Sequence, residues 1–174
     1  MMKSTLSPVL AFIFVTGILA SCAADPQTRQ TTNPNIDYPG FASLVSEVDD
    51  YRARRLIDLD TFLTYASDDD TIILDTRSAD AFARGHLEGA VNLPFSDFTQ
   101  EKLDKALGEK SRRILIYCNN NFENDAEPVP LKRVELALNI PTFINLYGYG
   151  YQNIYELEDV LSVADQRIRF VSSL

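Results

Sequence analysis

The stretch that decides the fold is Gly85-His86-Leu87-Glu88-Gly89-Ala90-Val91-Asn92-Leu93-Pro94. Gly85, Gly89 and Pro94 set the backbone of a turn, because glycine reaches conformations closed to other residues and proline fixes its own φ. Ala90 to Leu93 then reads as a short strand that stops at Pro94. Upstream, Ser78 to Arg84 makes one or two helical turns closed by Gly85. Thr71-Ile72-Ile73-Leu74 is a β-branched run ending at Asp75, suited to a strand buried on both faces. Leu59 to Tyr65 is a short helix with Asp58 or Asp60 as cap. Phe41 to Arg55 carries Phe41, Leu44, Val45 and Val48 at helical spacing. Downstream, Thr99 to Leu107 is helical with Gly108 as its stop, and Arg113 to Tyr117 is the best strand in the chain. A polar, acidic loop over Asn119–Val129 follows, then Pro130 at the first position of a helix over Leu131–Asn139. Thr142 to Leu146 reads as a strand and Tyr151 to Leu161 as a helix. This alternation predicts an α/β, doubly wound parallel sheet of about five strands with helices on both faces. Ligands of such sheets bind beyond the carboxyl ends of the strands, and Cys118 falls at one of those ends.

Composition bounds the function. The 174 residues hold one ordinary domain plus extensions, and 45% hydrophobic with 24% charged residues is a globular balance. A formal net charge of −9 argues against nucleic acid, since phosphate contacts need clustered Lys and Arg. It also argues against attachment to anionic membranes through a basic patch. One histidine and two cysteines, with no cluster at metal spacing, give no metal site, and no organic cofactor is implied.

The N-terminus reads as an address. Lys3 gives a small positive start and Val9 to Leu19 an apolar run of signal length, too short for a good spanning helix. Leu19-Ala20-Ser21-Cys22 follows and resembles the bacterial lipobox, in which the cysteine becomes the lipidated new N-terminus. The competing readings are an ordinary secretory signal cleaved nearby and an uncleaved anchor. The lipobox resemblance implies an envelope protein on the periplasmic side, held to a membrane by acyl chains on Cys22 alone. Residues 1–21 are thus a signal peptide and 22–40, rich in Thr, Gln, Asn and Pro, a flexible tether. Residues 41–56 form an N-terminal helical extension.

Three segments in order resemble the rhodanese family. Leu74-Asp75-Thr76-Arg77 is similar to its strand-ending Asp-x-Arg, and residues 85–94 to its Gly-His-Ile-x-Gly-Ala-x-Asn-x-Pro. Ile114-Leu115-Ile116-Tyr117-Cys118 is similar to the strand that delivers the family's cysteine. A weaker fourth, Leu146-Tyr147-Gly148-Tyr149-Gly150, stands where the family often has Gly-Gly and then Trp, and this chain has no Trp. The resemblance implies a rhodanese-like domain over 57–162, followed by a C-terminal tail over 163–174. It further implies a sulfurtransferase or persulfide carrier, with Cys118 as nucleophile and a loop of Asn119, Asn120, Asn121, Phe122, Glu123 and Asn124 as the cradle for substrate. The partners would be a small sulfur donor or thiol acceptor, which could be an envelope protein.

Each residue also has a plainer reading. Cys118 is either a reactive thiol at the strand tip or a buried structural cysteine. Asp75 and Arg77 either support the loop or form a structural ion pair, and the ion pair is favoured. His86 is favoured as a structural imidazole over a general base. Tyr147, Tyr149, Tyr151 and Tyr155 either line a pocket or pack in core and rim, as aromatics commonly do. The loop holds Glu123, Asp125 and Glu127 and no base, which would raise the thiol's pKa and repel an anionic donor. Its length is expected to carry the next helix, and that helix's dipole, away from Cys118. Cysteine phosphatase chemistry needs an arginine six positions after the cysteine, where Asn124 stands. With Cys22 lipidated, Cys118 is the only free thiol, so no internal disulfide can resolve a persulfide. The rival function is a non-catalytic rhodanese-like binding module that recognises a partner through the acidic 119–129 loop.

Overall fold

The computed structural model describes residues 33–123, 127 and 129–174, and residues 37–174 make up one compact unit. Helix α1 spans Tyr38–Ala53 and starts where Asp37 accepts the backbone N–H of Gly40 at 2.9 Å, with Pro39 in the first turn. Strand β1 (Leu56–Ile57) leads to α2 (Leu59–Ala66), which Asp58 caps by accepting from the Thr61 N–H at 2.9 Å. Strand β2 (Thr71–Asp75), α3 (Ala79–Arg84), β3 (His86–Leu87) and β4 (Val91–Asn92) follow. Gly89, between β3 and β4, adopts φ +82°, where a side chain would be strained. Helix α4 (Gln100–Leu107) ends at Gly108, φ +74°, and β5 (Arg113–Tyr117) comes next.

From here the chain departs from the sequence expectation. Residues 131–138 are not an α-helix and contain only a single 3₁₀ turn at Val134–Leu136. Helix α5 spans Asn139–Gly148, over the stretch expected to be a strand, and strand β6 spans Ile154–Leu157, inside the stretch expected to be a helix. Both errors have a physical cause. Thr142, Phe143, Ile144 and Leu146 are all buried, so α5 has apolar residues around most of its girth and reads as a strand-like run. Pro141, an obstacle deeper in a helix, is tolerated in the first turn, where its missing N–H has no partner to lose. Strand β6 is disguised by Glu156, a charge in a buried strand position.

The five strands β1, β4, β2, β5 and β6 form one parallel sheet in the order β1-β6-β5-β2-β4. Side chains alternate along β5: Ile114 and Ile116 join Val48, Leu103, Leu107 and Phe143 from α1, α4 and α5, while Leu115 and Tyr117 join Leu59 and Phe62 from α2. Helices therefore cover both faces. Residues 163–174, read as a tail, carry β7 (Phe170–Val171), which pairs antiparallel with β3. Of the apolar residues expected to bury α1, Val48 is in the core, whereas Phe41 and Val45 are exposed.

Candidate active site

Cys118 directly follows β5, at the carboxyl end of the sheet's central strand, and is 1% exposed. A 3₁₀ turn over Asn119–Asn121 carries the chain away from the strand tip. The Cys118 N–H donates to Asn121 Oδ1 at 2.9 Å, and the Asn121 amide nitrogen donates to the carbonyls of Leu157 (2.7 Å) and Asp159 (3.1 Å). Asn139, the first residue of α5, donates its amide nitrogen to Asn121 Oδ1 (3.0 Å) and to Glu156 Oε1 (3.2 Å). Asn120 grips Lys132 from both sides, donating to its carbonyl at 2.9 Å and accepting its N–H at 3.1 Å. The excursion after the turn is thereby tied at its base.

The helix after the loop does not move away. Although it starts 21 residues after Cys118, the N-terminus of α5 returns to the thiol. Burial pushes the Cys118 pKa up, the largest influence. Hydrogen bonds from the backbone N–H groups of Asn139, Asn120 and Leu138 pull it down, and the Glu156 carboxylate raises it. The N–H groups that face the thiol therefore come from both ends of the loop, from Asn120 and from the start of α5.

The remaining loop residues divide. Asn119 is 7% exposed, and its Oδ1 has no hydrogen-bond partner among the described residues. Phe122 is fully buried, edge-on to Tyr117 and Phe170, and so belongs to the core rather than to a substrate cradle. Glu123 is exposed, and its N–H donates to the Leu161 carbonyl at 2.9 Å. Asn124 and Asp125 lie outside the described residues, as does Cys22 with the signal segment. A cavity of about 250 Å³ contains Cys118, Asn120, Asn121 and Asn139, with Arg52, Glu156 and Glu158 as its charged walls. The acids beside the thiol are thus Glu156 and Glu158. The sequence points to Glu123, Asp125 and Glu127 instead, because Glu156 is brought to the thiol by tertiary pairing of β6 with β5.

Asp75 and Arg77 form a buried ion pair (2.6 Å), and neither lines that cavity. Asp75 also accepts the Tyr117 hydroxyl at 2.6 Å, and Arg77 donates to the Gly85 carbonyl at 2.6 Å. Asn92 donates to the carbonyls of Asp75 (2.9 Å) and Arg77 (3.0 Å). The Asp-x-Arg and Gly-His segments are therefore one hydrogen-bonded unit bracing β2 against β4 and β5. His86 Nδ1 is 2.7 Å from the Phe82 carbonyl and its ring stacks on Phe82, which fits a structural imidazole. Tyr147, Tyr149, Tyr151 and Tyr155 do not line the Cys118 cavity; the Tyr151 hydroxyl donates to Asp104 and Tyr155 packs on Tyr65. A larger cavity, about 640 Å³, lies beyond Asn119 between Arg77, Arg84, Phe95 and Lys132, and Cys118 does not line it.

A five-stranded parallel sheet covered by helices on both faces, with a cysteine at the carboxyl end of its central strand, defines the class of α/β domain to which the chain belongs. The sequence model of the rhodanese-like domain matches residues 53–159, and the chain belongs to that family. Solved structures similar to it include the Alr3790 protein of Anabaena sp., with 22% identity over 59% of this chain and 69% of that chain, at a TM-score of 0.43. They also include the BH2092 protein of Bacillus halodurans, at 15% over 67% and 74% with a TM-score of 0.42. A rhodanese with anions from E. coli is similar at 17% over 59% and 98%, with a TM-score of 0.38. No curated protein matches the chain.

Proposed function

We propose that this protein is a rhodanese-type sulfurtransferase or persulfide carrier that works through Cys118 at the cell envelope, anchored through a lipidated Cys22. The observation that carries this reading is the convergence of the Asn120, Leu138 and Asn139 N–H groups on the one thiol at the strand tip. Oriented N–H dipoles stabilise negative charge on sulfur, so they favour both the attacking thiolate and the persulfide anion. With thiosulfate, the Cys118 thiolate attacks the outer sulfur, an S–S bond forms on Cys118, and sulfite leaves with the electron pair of the broken S–S bond. An acceptor nucleophile then takes the outer sulfur and returns Cys118 as thiolate. No oxidant is consumed. With Cys22 lipidated, no second thiol remains in the chain to resolve the persulfide, so the acceptor is external.

The rival reading, a binding module without chemistry, is favoured by the 1% exposure of Cys118 and by the exposed Leu131, Val134 and Leu136 around the loop. The two separate on turnover. The purified protein, given thiosulfate or 3-mercaptopyruvate and cyanide, should release thiocyanate, and Cys118→Ser should release none. Equal rates for the two proteins would leave the binding module as the better account.

A further inference from the structure

Arg52 sits on α1, just before the family-matched span of 53–159, yet its side chain reaches the wall of the Cys118 cavity. Its Nε and Nη2 donate to the two Glu156 oxygens at 2.6 and 2.7 Å, a bidentate clamp on a carboxylate that is 5% exposed. The other end of the network is saturated. Both amide protons of Asn139 are used, one on Glu156 Oε1 and one on Asn121 Oδ1. Both amide protons of Asn121 go to carbonyls of the β6 segment, and its Oδ1 also accepts the Cys118 N–H. An unbroken line of charge-assisted and amide hydrogen bonds therefore runs from a half-exposed guanidinium to the backbone of the nucleophile.

We propose that Arg52 is a positioning residue for Cys118: it cancels the Glu156 charge beside the thiol and fixes the Asn139–Asn121 amides that shape the thiol's cradle. This rests on Cys118 being the nucleophile. A buried carboxylate left unpaired next to a thiol opposes its ionisation, because two negative charges in a poorly solvated site repel strongly. Glu156 does raise the Cys118 pKa even when clamped. The charged groups around the thiol are Arg52 and its neighbour Asp49 from α1, and Glu156 and Glu158 from β6 and its end. The 119–121 turn and the first turn of α5 present amides and no titratable group. Among the described residues, Arg52 is then the only cation lining the cavity.

The test is the pH profile of alkylation at Cys118 by iodoacetamide, read by peptide mass on the full-length protein. Arg52→Gln should displace the profile to higher pH and slow alkylation about tenfold at neutral pH, as a change of about one unit in pKa requires. Glu156→Gln should move it the opposite way and speed alkylation, and the double variant should return near the parent. Arg52→Lys, which keeps the charge but not the fork, should fall between parent and Arg52→Gln. A merely structural pair would slow both single variants alike. The proposal is overturned if folded Arg52→Gln keeps the parental profile, or if Glu156→Gln shifts to higher pH. Should Arg52→Gln not fold, the direction of the Glu156→Gln shift decides alone. If the parental Cys118 alkylates at no pH, the nucleophile reading itself fails and takes this proposal with it.

Discussion

At Cys118, burial disfavours the thiolate while three backbone N–H groups favour it. Burial is the larger influence, so the thiol ionises above its ordinary range and its reactivity should climb through alkaline pH. What keeps the N–H groups aimed is the side chain of Asn121, which makes four hydrogen bonds in a 5% exposed position. Asn121→Ala leaves the Cys118 N–H, two carbonyls and the Asn139 amide short of partners. Unsatisfied buried groups cost about 1–3 kcal/mol each, partly relieved by water in the cavity. Urea unfolding should therefore show a loss of about 2–3 kcal/mol, with the thiocyanate rate falling in the protein that stays folded. A loss below about 0.5 kcal/mol would mean that the turn holds its shape without this amide.

At the scale of elements, the longer helices and strands before Cys118 are legible in the sequence, and those after it are not. Asp58, Thr99 and Gly108 mark helix ends by their own local chemistry, and Thr71–Asp75 and Arg113–Tyr117 are unbroken β-rich runs. Strand β1 is only two residues long and carries no pattern of its own; its pairing with β6 makes it a strand. Helix α5 and β6 exchange their apparent identities because burial around most of α5 blurs its periodicity, and Glu156 interrupts β6. The same difficulty hides the site. Cys118 is visible as a strand-end cysteine, and Asn120 and Asn121 as its neighbours, but Arg52 and Glu156 stand 104 positions apart and meet only in the folded chain. The signal that could have drawn notice to Glu156 is an acid flanked by Ile154 and Leu157, a charge in an apolar stretch that needs a partner.

For the whole molecule, the acidic surface bears on the proposed anchor. Removal of residues 1–21 would take away Lys3 and no acid, so the part left outside a membrane would be still more negative than the full chain. Such a domain has no electrostatic hold on anionic lipid, and among the described residues no helix is long and apolar enough to cross a membrane. The proposed attachment would then depend on acyl chains at Cys22, each contributing on the order of 0.8 kcal/mol per buried methylene. Cells given radiolabelled palmitate should label the protein and retain it in the membrane fraction. Cys22→Ala should abolish both, and label persisting in that variant would remove the lipobox reading.

Sulfur on Cys118 is the claim on which the rest depends, and intact mass reads it directly. After exposure to thiosulfate or 3-mercaptopyruvate and removal of the donor, the protein should gain the mass of one sulfur atom. The gain should be reversed by cyanide and absent from Cys118→Ser. An unchanged mass, or an equal gain in Cys118→Ser, would contradict the account.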